Sequence, residues 1–123
     1  MIRGIGTDIV EIARIRQAVA KERFVVRVYT EGERAYCEER GVQAAASFAA
    51  RFSGKEAVLK AFGTGLRGGT LRDVEILPDA QGAPRVNLHG YFAELARQRG
   101  IKEIWLSLSH TGAYAVAQCV MEG

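Results

Sequence analysis

The chain has 123 residues, 48% of them hydrophobic and 25% charged, with a net charge of +3. That length excludes two well-stabilised domains and points to one fold over residues 1–123, while the balance of apolar and charged residues excludes a disordered or fibrous chain. No apolar run approaches the roughly 18 to 20 residues that span a bilayer, and MIRGIGTDIV carries no signal-type pattern, so a cytoplasmic protein that engages no membrane is expected.

Residues 2–7 are short, partly β-branched and punctuated by glycines, which suits a strand that passes close to another element. From Glu11 onward Ile12, Ile15 and Val19 recur at helical spacing, giving a helix of about ten residues with Arg14 on the opposite, exposed side. Arg14, Arg16, Lys21, Arg23, Arg27 and Arg34 crowd this first third, which favours an acidic partner or is a solvated basic face. Only Phe24 and Tyr29 are near enough to stack bases, so nucleic acid is not the expected partner. Thr30 and Glu33 form a capping-box pattern before the short helix ERAYCEER, which Gly41 can end.

An alanine-rich run from Gln43 to Phe62 is the longest helical candidate, and the glycine-rich loop GTGLRGGT follows it. DVEILPDAQGAPRVNLHG reads as a hairpin, Tyr91 to Arg99 as a short amphipathic helix, and IKEIWLSLSH with TGAYAVAQCVM as two further strands. The order predicts an α+β fold with a long central helix packed on an antiparallel sheet. Cys37 and Cys119 have neither disulfide nor metal-type spacing and read as packing residues.

In the long helix, Phe48, Phe52, Leu59 and Phe62 form an apolar stripe at about 100° per residue, and Lys55 projects into its middle. A buried unpaired ammonium is costly. Lys55 must therefore snorkel, pair with an anion, or sit where the stripe opens on a ligand. Glu56 and Lys60 are an i,i+4 pair that taken alone reads as a surface pair, while the company of Lys55, Arg51 and the glycine loop at the helix end shifts the reading toward a site. Gly54, mid-helix, is either a packing notch or a point of close backbone approach.

Cations around one carboxylate suit phosphate chemistry with Mg²⁺, which takes one or two protein carboxylates beside phosphate oxygens and water. Asp8 in GTDIVEI is the best second acid, although Asp8 and Glu11 also fit a capping box for the first helix, the reading that spacing alone favours. Ser109 and His110 close a strand before a Thr-Gly turn, where a histidine is commonly a surface residue.

Three ordered motifs, GTDIVEIARI at 6–15, RFSGKEAVLKAFGTG at 51–65 and SLSHTGAYAVA at 107–117, together resemble the holo-acyl-carrier-protein synthase family of phosphopantetheinyl transferases. TEGERAYC at 30–37 and GAPRVNLHG at 82–90 resemble family segments as well, so the resemblance covers nearly the whole chain. It implies the 4′-phosphopantetheinyl transferase fold and transfer of the phosphopantetheine arm of coenzyme A to a serine of apo acyl carrier protein, with Mg²⁺ required. By the same resemblance Asp8 and Glu56 would be metal ligands and Lys60 would neutralise the transferring group. Arg51, His110 and Lys55 would meet coenzyme A phosphates, with Ser109 and Gly63 to Gly65 bordering that cleft.

The resemblance also implies that Arg14 docks the acidic carrier and that the enzyme is a homotrimer with active sites at subunit interfaces. Gly54, where the family usually has alanine, and the loop LRGGT at 66–70 depart from the pattern. The charge pattern taken without the motifs also permits a noncatalytic basic module that binds an acidic protein or nucleic acid.

Overall fold

A computed structural model describes residues 1–123. Strand β1 (Ile2–Glu11) leads into α1 (Ile12–Val19), α2 (Glu22–Val28) and α3 (Glu31–Glu38). A single 3-10 turn precedes the long helix α4 (Ala44–Phe62), followed by β2 (Val74–Pro78), β3 (Pro84–Leu88), α5 (Gly90–Gln98), β4 (Glu103–Thr111) and β5 (Tyr114–Glu122). The strands form a three-stranded antiparallel sheet ordered β1-β5-β4 and a separate β2-β3 hairpin. The architecture is α+β, with α4 lying across the larger sheet.

The first strand is longer than the sequence suggests. It runs to Glu11 because residues 4–11 pair continuously with β5, after a register shift between Ile2 and Gly4, and Asp8 lies opposite Ala117 in that ladder. Asp8 is therefore a strand residue and not a helix cap; Glu11 occupies the cap position of α1 and makes no side-chain capping bond. The helix buries Ile12 and Ile15 and leaves Arg14 exposed, as the periodicity predicts. The Thr30 capping box is present: Glu33 N–H donates to Thr30 Oγ1 at 3.2 Å, and Thr30 N–H donates to the Glu33 carboxylate at 2.9 Å.

Helix α4 is buried along most of its length, and its residues contribute to two adjoining core clusters. Phe48, Ala49 and Ala50 pack with Ile12, Ile15, Val25, Val28 and Tyr29, whereas Ala57, Val58 and Phe62 pack with Val74, Phe92 and the inner face of β5. Gly4 and Gly6 let β1 cross the helix in backbone contact. A Cβ at Gly6 would lie 2.0 Å from the Ala57 carbonyl oxygen, and one at Gly4 would lie 2.2 Å from that of Ala61. Gly54 is a packing notch: a Cβ there would meet Ile76 Cδ1 at 2.6 Å and Leu108 Cδ2 at 3.1 Å. Cys37 and Cys119 are free, buried thiols, and burial pushes Cys119 up to about 12.

Candidate active site

The close crossing of β1 over α4 sets Asp8 against one face of the helix. Ser53, Glu56 and Lys60 share that face, because residues three and seven positions apart return to within about 60° of one another. Lys60 Nζ donates to Asp8 Oδ1 at 3.0 Å and to the Thr7 carbonyl at 3.1 Å, while Ser53 Oγ donates to Asp8 Oδ2 at 3.0 Å. Asp8 is mostly buried, and Lys60 is half-exposed at the rim. The expected Glu56–Lys60 surface pair gives way to a Lys60–Asp8 pair, since the lysine reaches across to the strand.

Burial raises the Glu56 carboxyl above its ordinary range, the nearby charge of Asp8 adds to the rise, and Lys60 opposes it. A carboxylate whose ionisation is disfavoured by a second one nearby forms with it a natural seat for a cation. No cluster of three or more His, Cys, Asp or Glu residues surrounds them. The donor set is thus unlike a tetrahedral zinc site and fits Mg²⁺, which keeps waters and takes substrate phosphate oxygens alongside one or two carboxylates. Asp8 and Glu56 are the residues that could hold it.

Lys55 belongs elsewhere, which corrects its assignment to a coenzyme A phosphate. It is fully buried, and its Nζ donates to Glu33 Oε1 at 2.8 Å and to the carbonyls of Leu71 and Val74 at 2.9 and 2.7 Å. All three ammonium protons are used, and no face remains for a ligand. Burial pulls the Lys55 pKa down while Glu33 opposes the shift. Glu33 also accepts from the Ile76 N–H at 2.7 Å, so one buried pair ties α3, α4 and the start of β2 together.

Arg51, Ser109 and His110 come together in a separate pocket of about 190 Å³, joined by Tyr36, Arg40, Ser47 and the hairpin residues Gly82 and Pro84. Arg51 is 7% exposed; its Nη1 donates to Ser47 Oγ at 3.3 Å and its Nε has no partner. The pocket is lined by arginines and a histidine with no carboxylate, an arrangement that attracts anions. Gly63 and Gly65 lie beyond Lys60 at the other end of α4; Gly63 ends the helix in the left-handed region at φ 78° and Gly65 follows at φ 63°. Nothing stands within 4 Å of a Cβ at either glycine, so φ and not crowding selects them. Neither touches the Arg51 pocket.

Arg14 is exposed on α1, and beside that helix lies a groove lined by Ala18, Lys21, Glu22, Arg23, Phe24 and Arg27, three cations against one carboxylate. Arg34 leaves this group of free cations, because Glu22 and Glu38 neutralise it at 2.7 and 3.0 Å. The sequence reading missed Ser53 and Glu33 as partners of the site and of Lys55. Ser53 was accessible through its shared helix face with Glu56 and Lys60; Glu33 was masked by its own capping-box role.

A family model described as the 4′-phosphopantetheinyl transferase superfamily matches residues 4–119. The chain is 45% identical over 125 residues to the holo-[acyl-carrier-protein] synthase of Koribacter versatilis, covering 99% of each chain. The crystal structure of holo-[acyl-carrier-protein] synthase from Neisseria meningitidis superposes with a TM-score of 0.91 at 34% identity, covering 100% of both chains. A holo-(acyl-carrier-protein) synthase from Bacillus anthracis in complex with CoA (3′,5′-ADP) superposes with a TM-score of 0.81 at 34% identity, covering 98% of this chain and 96% of that one. The chain therefore belongs to the phosphopantetheinyl transferase superfamily and, within it, to the holo-acyl-carrier-protein synthase family of enzymes.

Proposed function

We propose that this enzyme transfers the 4′-phosphopantetheine group of coenzyme A to a serine of apo acyl carrier protein, yielding holo carrier and adenosine 3′,5′-bisphosphate. The observation that carries the reading is the Asp8–Lys60 contact at 3.0 Å beside Glu56, two carboxylates and a cation meeting where β1 crosses α4. The serine oxygen attacks the phosphorus that bears the pantetheine arm, and a P–O bond of the pyrophosphate breaks. The bond pair leaves with the bisphosphate, and the serine proton passes to Glu56 or to a water that it orients.

Asp8 and Glu56 would hold Mg²⁺, which would supply positive charge to offset that of the phosphate oxygens. Lys60, fixed by two hydrogen bonds and open to solvent, meets the charge that grows on the transferring group. Ser53 keeps Asp8 oriented through its second carboxylate oxygen. Arg51 and His110 receive the remaining phosphate of the coenzyme, with Ser109 beside them. The acidic carrier docks on Arg14 and the basic groove formed by Lys21, Arg23 and Arg27.

Arg51 and Lys60 are nine residues apart on α4, about half a revolution around its axis. The two anion-binding places of one chain thus face different directions, which favours an active site completed by a second copy. The outer face of the sheet supplies a surface for one: Ile5 pairs with Val120, which pairs with Trp105, and Ile5, Ile9, Trp105 and Tyr114 are exposed. A cavity of about 540 Å³ joins that apolar face to Lys60. We take the assembly to be a homotrimer with active sites at the interfaces, which light scattering tests directly. The free, buried cysteines suit a reducing cytoplasm, and no helix is long and apolar enough to cross a membrane.

The decisive experiment is intact-protein mass spectrometry of apo acyl carrier protein incubated with the enzyme, coenzyme A and Mg²⁺. A gain equal to one phosphopantetheine group is expected. No gain with several carriers would overturn the reading, and salt-sensitive DNA binding without coenzyme A binding would replace it with a basic binding module.

A further inference from the structure

Asp8 offers its two carboxylate oxygens to two different kinds of donor. Oδ1 accepts from Lys60 Nζ at 3.0 Å, on a half-exposed side chain that is free to swing away from the rim. Oδ2 accepts from Ser53 Oγ, also at 3.0 Å, and Ser53 is fully buried within α4. A serine in the middle of a helix ordinarily turns its hydroxyl to solvent or back to the carbonyl four residues earlier. This one gives its only proton to a strand residue 45 positions away.

The backbone fixes both ends of that bond. Asp8 is held in the β1–β5 ladder opposite Ala117, and two residues before it Gly6 lies so close to the Ala57 carbonyl that β1 cannot slide along the helix. A cation arriving from the rim therefore meets Oδ1, while Oδ2 stays with the serine. To chelate through both oxygens, Asp8 would have to turn Oδ2 outward and leave a buried hydroxyl without its acceptor, which is unfavourable. The demand for chelation differs between ions: Mg²⁺ takes a compact octahedron of single oxygens, whereas Ca²⁺ takes about 6 to 8 oxygens and accepts bidentate carboxylates. Resting on the metal-dependent transfer proposed above, we propose that Ser53 is a positioning residue that restricts Asp8 to one metal-binding oxygen and thereby sets the preference of this site for Mg²⁺ over Ca²⁺.

The test reads binding without turnover. Loss of the electron-spin-resonance signal of free Mn²⁺ measures its binding to the full-length enzyme in the presence of coenzyme A, with coenzyme A alone as the blank. Displacement of that Mn²⁺ by Mg²⁺ or by Ca²⁺ gives the ratio of the two affinities. Ser53→Ala removes only the hydroxyl and favours the helix, and it is expected to raise Ca²⁺ affinity relative to Mg²⁺ by about tenfold. Ser53→Cys fills the same space with a weak donor; it is expected to move the ratio in the same direction and remains decisive if the alanine variant does not fold. An unchanged ratio, or equal losses for both ions, would overturn the inference and leave Ser53 a structural neighbour of Asp8. A wild-type enzyme that binds no Mn²⁺ beyond the blank would overturn the metal assignment in the proposed reaction as well.

Discussion

Lys55 and Glu33 pair at 2.8 Å in the interior with neither side chain exposed, and the lysine completes its shell with the carbonyls of Leu71 and Val74. A buried pair of this kind contributes little over an apolar substitute, but losing one partner strands the other. Lys55→Met is therefore expected to lower stability by about 3 to 5 kcal/mol in urea unfolding, and adding Glu33→Gln should return part of that loss by removing the stranded charge. A Lys55→Met enzyme with wild-type unfolding and a raised KM for coenzyme A would restore the lysine to the ligand set.

Lys60 reaches Asp8 from a position 52 residues away in sequence and stands half-exposed at the rim of the β1–α4 crossing. If it acts as proposed on charge that appears in the transition state, Lys60→Gln should lower kcat by about 10² to 10³ with little change in KM. Steady-state kinetics with purified carrier measures both constants. A change confined to KM would make Lys60 a ground-state binding residue only.

Glu56 carries a pKa raised by burial and by Asp8, so the folded protein binds its proton more tightly than the unfolded chain does. In metal-free buffer this tighter proton binding favours the fold below the ordinary carboxylate value. It is lost as pH rises through the higher, folded pKa, because the native state then holds more protons than the unfolded one across the window. Glu56→Gln should flatten that part of the stability–pH curve above pH 4.5 and raise the melting temperature near neutrality. A melting curve for the variant that tracks the wild type at every pH would show that the carboxyl is unperturbed.

Gly54 faces Ile76 Cδ1, the end of a side chain that can be shortened. Gly54→Ala gains about 1 kcal/mol of helix propensity and loses a similar amount to overpacking, so the single variant should be close to neutral. Combining it with Ile76→Val removes the crowding methyl. The pair is expected to be more stable than the sum of the singles by about 1 kcal/mol, read from a double-mutant cycle. Strict additivity would mean that the helix shifts to absorb the new methyl.

Arg14 projects from α1 on the side opposite its buried stripe, with the basic groove of Lys21, Arg23 and Arg27 nearby in sequence. Arg14→Glu should raise KM for the carrier by about tenfold or more, with a steeper effect at low salt, and leave KM for coenzyme A within about twofold. Equal losses for both substrates would place Arg14 outside the docking surface.

The sequence by itself determined most of the elements and singled out the carboxylates and the lysine that the fold brings together, although it showed no sign of α2. The Thr30 cap, the stripe of Ile12 and Ile15, the long run ending at Gly63 and the carboxylates Asp8 and Glu56 could all be found there, because caps, periodicity and ordered motifs act over a few residues. Tertiary structure alone decided which partner each charge meets. Asp8 left its apparent capping role because β5 extends the β1 ladder past it; Lys55 took Glu33 from 22 residues away instead of a phosphate; and Gly54 proved to be a notch for Ile76 and Leu108. Helical angle placed Lys55 on the apolar stripe and Arg51 apart from Lys60, but it held no information about what the sheet and α3 would bring opposite them. Those pairings depend on how the chain packs over long separations, where burial and the need to satisfy each buried charge overrule local pattern.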